Sequence, residues 1–439
     1  MLVGLLRPRD RNKTLTALAD VEPGRAGSQH PETQRLHTFV STSPWDPEKI
    51  NTRRIQLLRA DPTTTPHSGG ALLLDDSGDR KRGRHTAHVG RQYLGSVGKV
   101  DNGIVAVSTT WADQRVYYPL RVMPYTPAAR LAGGRTDPAF ATKAQLAARL
   151  ITAARQEGIP FRAVVADAFY GPSESPGLVE TLTAARVPFV LALKPHQPIA
   201  VPGAETTTAA DAARLRAFHS PEHPGQWTPV DRTFRDGHHE TWWATDVPVG
   251  AFRIYGPLRL VVLTTDPGSL PGLSTWYLAT NLAHPDLPAA DTSPFPPADY
   301  SEIADLYGLR DWIEQGYHQV KHELGWADFQ VRSDVAIRRH WTLVNCAFTL
   351  GWLDHDDPPQ LDNHPDDSDD TTAAPQPTAP QRPVRTWPEA LRRIRACLAP
   401  LHALQRAWHA WTTEPMPREL AELVNALMNG HRLYLYAPP

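Results

Sequence analysis

Tyr307, Arg310, Glu314 and Lys321 stand at relative positions 0, 3, 7 and 14 of one run. On a helix of about 3.6 residues per turn the four drift by only a few tens of degrees and share a face. A phenol, a guanidinium, a carboxylate and an ammonium make a poor surface to set against a hydrophobic core. They suit a metal-binding carboxylate placed among groups that grip phosphate. A solvated helix face, with Arg310 and Glu314 as an ordinary i,i+4 pair, has the same spacing. Spacing alone does not choose between the two.

Two more carboxylates end apolar runs. Ala71-Leu72-Leu73-Leu74-Asp75-Asp76 and Arg162-Ala163-Val164-Val165-Ala166-Asp167 both read as buried strands with acids at their tips. Residues 143–157 are amphipathic and alanine-rich, and Gly158 and Pro160 stop them, so a helix precedes the second strand. A helix over 177–186 and a buried strand at Phe189-Val190-Leu191-Ala192-Leu193 follow. Strand, helix, strand at this rhythm predicts a parallel βαβ unit, with Asp76 and Asp167 at the sheet edge where α/β proteins build sites. Two strand-end aspartates and one helix glutamate, each on its own element, are the ligand set that two Mg²⁺ ions need for in-line phosphodiester chemistry. Aspartate is also common in turns, and a strand-end turn accounts for the same two residues.

Other elements must carry these groups. Alternating stretches at 86–93, 103–111 and 115–122 suggest an antiparallel meander beside the first strand. Residues 195–297 hold strand candidates at 240–244, 252–264 and 276–280 among Pro, Gly and Thr loops, which reads as a β-rich insertion. Asp299 and Glu302 form a capping pair for the Glu314 helix. Residues 338–352 predict an apolar helix. Thr386-Trp387-Pro388-Glu389 opens a basic amphipathic helix to about Trp411, and 418–428 is another. The expected divisions are an N-terminal helical region (1–66), a core in two parts (67–194 and 298–353) around the insertion (195–297), an acidic Pro-rich linker (354–385) and C-terminal helices (386–439).

The chain has 439 residues, enough for two or three domains, and its 43 prolines are roughly double the usual share. No apolar run reaches the ~20 residues that span a bilayer, and the start lacks the basic residues of a signal peptide, so a cytoplasmic protein is expected. Cys346 and Cys397 lie far apart in apolar helical patterns and predict neither a disulfide nor a metal site. His85 and His88 would not share a strand face, and no third ligand accompanies them. The net charge is −2, but eight of the aspartates lie in residues 354–370 without a lysine or arginine, and the rest of the chain carries +6. Basic stretches at 7–13, 80–91 and 382–395 suit phosphate contacts, as they also suit a solvated face.

Asp75-Asp76-Ser77-Gly78-Asp79-Arg80-Lys81-Arg82-Gly83, continued by Gly90-Arg91-Gln92-Tyr93-Leu94-Gly95 and Gly98-Lys99, resembles the first-aspartate block of DDE-type insertion-sequence transposases. Ala166-Asp167-Ala168-Phe169-Tyr170-Gly171 resembles their second block. Tyr307, Arg310, Glu314 and Lys321 match the tyrosine–arginine–glutamate–lysine signature of one branch at every interval. The resemblance covers roughly residues 46–352. It implies an α/β, ribonuclease H-like mixed sheet flanked by helices, with catalytic and metal-binding Asp76, Asp167 and Glu314 and two Mg²⁺ (or Mn²⁺) ions. Asp75 and Asp76 point to opposite strand faces, so one of them joins the metals; the family's ligand directly precedes a small hydroxyl residue, here Ser77, which selects Asp76.

The resemblance further implies DNA contacts by Tyr307, Arg310 and Lys321, with Lys81, Arg82, Arg84 and Arg91 as additional candidates. Trp242, Trp243 and Trp276 could stack on an unpaired base, although core packing suits them better. The partners are element-end and target DNA and, through the C-terminal helices, a second copy of the chain. Relatives carry a longer helical region before the first aspartate, so a shortened N-terminus is expected here. The expected activity is metal-dependent cleavage at insertion-sequence ends and strand transfer of the freed 3′-hydroxyl. A non-transposing DNA-binding remnant and a nuclease without strand transfer are the alternatives.

Overall fold

The computed structural model describes residues 1–21, 27–171, 177–200, 207–234, 237–247, 258–353, 386–411 and 418–429. The expected acidic linker at 354–385 and the 252–257 part of an expected strand lie outside the described residues.

Among the described residues four α-helices lead in: α1 (Leu2–Leu6), α2 (Leu15–Leu18), α3 (Pro31–Ser41) and α4 (Pro47–Ala60). Then come β1 (Ala71–Arg80), β2 (Gly90–Leu94), β3 (Lys99–Ala112) and β4 (Tyr117–Tyr125). The βαβ part follows as α5 (Lys143–Gln156), β5 (Ala163–Ala166), α6 (Leu178–Ala184) and β6 (Phe189–Ala192). A small pair, β7 (Pro198–Ile199) and β8 (Thr207–Thr208), precedes α7 (Ala209–Arg214) and the strands β9 (Thr228–Thr233), β10 (His239–Val247), β11 (Arg259–Thr264) and β12 (Thr275–Thr280). The chain continues as α8 (Tyr300–Gly308), α9 (Asp311–His322), α10 (Asp334–Leu353), α11 (Trp387–Trp411) and α12 (Arg418–Met428).

One mixed sheet runs in the order β2-β3-β1-β5-β6-β12-β11-β10-β9, with β4 also on β3. β1 pairs antiparallel with β3 and parallel with β5, and β5 is parallel to β6. The part β4-β3-β1-β5-β6, with helices on both faces, is the ribonuclease H-like arrangement. Parallel central strands are buried on both faces, which explains their continuous apolar runs. Leu72, Leu73, Leu74, Val164, Val165, Val190 and Leu191 are all fully buried. Strands β9 to β12 of the insertion extend this same sheet, because β12 adds antiparallel to β6, while β7 and β8 pair only with each other among the described residues.

Local signals place the flanking helices. Thr142 and Gln145 form a capping box at the start of α5, and Gly158 takes the positive φ of 66° just beyond its end. Asp299 Oδ1 accepts from the Glu302 N–H (2.8 Å) to open α8. Thr386 donates its N–H to Glu389 Oε2 (2.9 Å) ahead of α11. On α4, the buried Arg54 guanidinium is satisfied by Asn51, Thr349 of α10 and the Leu120 carbonyl, which ties the N-terminal helices to the core.

Two expectations change. β1 does not end at the acids: its pairing with β3 runs on to Arg80 opposite Gly103, so Asp75 and Asp76 lie in mid-strand. Asp167 does follow the last residue of β5. The single helix expected through 307–321 is two helices. At the junction the bonds tighten to three-residue steps, from Arg310 N–H to the Tyr307 carbonyl (3.0 Å) and from Trp312 N–H to the Leu309 carbonyl (3.0 Å). Gly308, the last residue of α8, stands at the break. Glycine favours helix weakly, and Arg232 lies so close that a Cβ at this position would be 2.9 Å from its Nη2.

Leu73→Ala should destabilise the chain by about 2–5 kcal/mol, read as a lower urea midpoint at unchanged slope. His340, on α10, is buried, lies 3.0 Å from the Gly325 carbonyl oxygen, and is pushed down to about 4 by burial. Its folded pKa lies below the unfolded value, so its stabilisation is complete above roughly pH 6.5 and is lost as pH falls toward 4, by roughly 3 kcal/mol. The urea midpoint should fall across that window, and His340→Gln should flatten the fall.

Candidate active site

The last parallel pair of β1 and β5 is Leu74 with Ala166. Beyond it β1 continues and β5 stops, so Asp75 emerges beside the turn that begins at Asp167. That turn is held by the Asp167 Oδ1 accepting from the Phe169 N–H (3.1 Å) and by the Tyr170 N–H bonded to the Asp167 carbonyl (3.1 Å). Gly171 lets it press on β6, since a Cβ there would lie 2.5 Å from the Ala192 carbonyl oxygen.

The register decides which way the adjacent aspartates point. Asp75 faces Ser108 across the antiparallel ladder, and such partners share a sheet face. Ser108 Oγ lies 2.6 Å from the hydroxyl of Tyr317 on α9, and that hydroxyl donates to the Asp75 carbonyl oxygen (3.0 Å). Asp79, four residues along the same face, accepts from Lys321 of α9 at 2.7 Å. Asp75 therefore lies on the side covered by α9. Asp76 lies on the other, where Lys143, the first residue of α5, donates to its Oδ2 at 2.5 Å.

Burial pushes the Asp75 carboxyl up to about 7, and repulsion from Asp167 adds to the rise, against the pull of Arg310. Asp167 is also raised by burial; Arg310 opposes the rise, and Asp76 and Glu314 reinforce it. Arg310 is the counter-charge on this side. Its Nη2 is 2.6 Å from Glu314 Oε1 and 3.8 Å from Asp75 Oδ2, and its Nε is buried without a hydrogen bond. The acids supply hard oxygen donors that repel one another, which suits a small divalent cation. Among the described residues no three His, Cys, Asp or Glu side chains stand close enough to hold one. Between Asp75 and Glu314, the Arg310 guanidinium takes up the negative charge that a cation would.

The expected DNA-contacting groups divide. Lys321 also donates to the Gly78 carbonyl (3.2 Å), which ties α9 to β1. Tyr307, in the last turn of α8, is edge-on to Trp276, with ring centroids 4.8 Å apart, and burial pushes its hydroxyl up to about 12. Lys81 is turned inward: it donates to the Ala327 (2.6 Å) and Phe329 (3.0 Å) carbonyls and sits 3.4 Å from the Phe329 ring centroid. Arg82, Arg84 and Arg91 are exposed. Trp242 is buried against Trp276, and the Arg232 guanidinium lies 4.5 Å from the Trp276 ring and 4.6 Å from that of Trp242. His88 bridges Thr126 and Asp334, each at 2.7 Å, as a structural group. Tyr317 and Lys143 escaped the sequence reading. Tyr317 lies one turn beyond Glu314 and was open to the same spacing argument, whereas nothing local marks Lys143.

A family described as DDE superfamily endonuclease matches residues 1–245, which include Asp75, Asp76 and Asp167 and stop short of Glu314. The chain is also 33% identical over 298 residues to the "Probable transposase for insertion sequence element IS701" of Microchaete diplosiphon, a match covering 68% of each chain. With more than half of its length matched, and with partly buried acids gathered where β1 passes the end of β5, the chain belongs to the DDE superfamily of endonucleases.

Proposed function

We propose that the protein is a transposase that cleaves DNA at the ends of an insertion sequence and joins the freed 3′-hydroxyl to target DNA. The observation that carries this reading is the pair of partly buried, mutually repelling carboxylates Asp75, on β1, and Asp167, just past the end of the neighbouring parallel strand β5, with Arg310 and Glu314 set against them. The relative described as a probable transposase supports the choice of transposase over other endonucleases. Asp167, Glu314 and a carboxylate of the Asp75–Asp76 pair would hold Mg²⁺ or Mn²⁺. When bound, the ions acidify the attacking water or 3′-hydroxyl and stabilise the leaving oxygen.

The residues of the chain bring the DNA to that point. Glu314 is half-exposed, so its i,i+4 pair with Arg310 contributes only about 0.3–0.5 kcal/mol. Arg310 can therefore exchange Glu314 for a DNA phosphate, which its planar fork grips with two parallel hydrogen bonds. That exchange frees the Glu314 carboxylate and places the phosphate beside Asp75. Tyr307, braced by Trp276, and Lys321, braced by Asp79, flank the same approach. Arg82, in the loop between β1 and β2, and Arg91, on β2, extend the basic surface, and two copies of the chain meet on DNA through α11 and α12.

Glu314→Gln should lower Mg²⁺-dependent nicking of a supercoiled plasmid carrying the element ends at least ~100-fold, about 3 kcal/mol of transition-state stabilisation, at an unchanged melting temperature. Nicking at the parental rate would remove Glu314 from the site. With a pre-cleaved 3′-hydroxyl end, a joined product should form on target DNA; hydrolysis alone would leave a nuclease. Sedimentation of the DNA complex should give the mass of two chains, and a single chain would refute the dimer.

A further inference from the structure

Lys143 stands at the opposite face of β1 from Arg310, 67 residues along the chain from the aspartate it binds. Both partners are mostly buried, with 16% of the lysine and 18% of the Asp76 side chain exposed. The ammonium also lies 4.9 Å from the ring centroid of Phe169 and 5.9 Å from that of Tyr125. Phe169 is two residues past Asp167, and Tyr125 ends β4. One cation thus joins the first-acid strand, the second-acid turn and the end of β4. Phe169 is 56% exposed although it is large and apolar, so this contact lies at the mouth of the site and not in the core.

The charges on the two faces do not balance alike. On the α5 face one ammonium meets one carboxylate at hydrogen-bond distance, and the pair is closed. On the α9 face Arg310 must serve Asp75, Asp167 and Glu314 together. Among the described residues Asp75 Oδ1 accepts only the neighbouring Asp76 N–H (2.7 Å), and its Oδ2 has Arg310 no nearer than 3.8 Å. A divalent cation is drawn to the face with uncompensated carboxylate oxygens. To use Asp76 it would have to displace an ammonium already in place in a poorly solvated site, where charge pairs are strong.

We propose that Lys143 is a positioning residue of the site: it holds the Asp76 carboxylate on the α5 face and ties it to the Asp167 turn, leaving Asp75 as the carboxylate of β1 that binds metal with Asp167 and Glu314. This rests on the metal-dependent reading above and sharpens it, since it reverses the order of the two aspartates that Ser77 suggested.

Mn²⁺ alone, titrated into the full chain without DNA and followed by electron paramagnetic resonance, tests the assignment. Asp75→Asn should weaken Mn²⁺ uptake at least ~10-fold, while Asp76→Asn and Lys143→Met keep it within about threefold and lower the kcat of plasmid nicking ~10–100-fold. Lys143→Arg should restore most of that kcat. The double variant Asp76→Asn, Lys143→Met should be no worse than either single one, as expected of two groups acting as a pair. Melting temperatures show whether each variant folds, and Asp75→Ser serves if Asp75→Asn does not. Loss of Mn²⁺ uptake in Asp76→Asn with retention in Asp75→Asn would overturn the inference and leave the metal-dependent reading standing. A parental chain that takes up no Mn²⁺ would overturn both.

Discussion

Several carboxylates partly withdrawn from water within reach of one another set the terms for this structure. An ionised carboxylate is costly to take out of water, and two side by side are costlier still. Asp75 and Asp167 are brought together because β1 and β5 are parallel neighbours and β5 stops one residue short of its acid. Their raised pKa values record that cost. A fold optimised for stability alone would place apolar side chains there. This one keeps the acids and surrounds them with cations from other elements.

Those cations are not equivalent. Lys321 and Asp79 are both mostly buried, and their pair fastens α9 along the far half of β1. Lys143 and Asp76 form a comparable pair on the other side. Arg310 is bound less firmly, to a half-exposed glutamate and to an aspartate at 3.8 Å. An exposed pair contributes a few tenths of a kcal/mol and is screened by water and salt, whereas a pair withdrawn from water is screened much less and is costly to break by removing one partner. The pairs that hold the scaffold are the sheltered ones, and the pair nearest the proposed chemistry is the one open to solvent. That ordering suits a site that must exchange its own counter-charge for the phosphate of a substrate.

The extended sheet links distant segments to this site. β12 docks on β6, and its Trp276 carries Arg232 and Trp242 on one side and Tyr307 on the other. Arg232 also lies against Gly308, where α8 gives way to α9. The tryptophans thus act as packing, and the packing reaches the turn from which Arg310 projects. A long insertion positioned in this way braces the signature helix against the strands that carry the aspartates.

Much of this was legible along the chain. Apolar runs marked β1, β5 and β6, amphipathicity and stop residues marked α5, capping residues marked α8 and α11, and spacing marked Glu314 as a neighbour of Arg310, because these properties depend on backbone periods and bonds only a few residues long. The sequence by itself also determined that Asp75 and Asp76 point apart, since strand side chains alternate. It could not say which helix covers which face, and that decides the environment of each acid. The continuation of β1 depended on a partner strand, β3, more than twenty residues away. Lys81, read as a surface cation, is drawn inward by carbonyls at Ala327 and Phe329. Lys143 reaches Asp76 only because α5 packs across the sheet. Local periodicity assigns a side chain to a face; the tertiary structure alone decides what waits on that face, because the opposing charge comes from a segment that no local spacing rule connects to it.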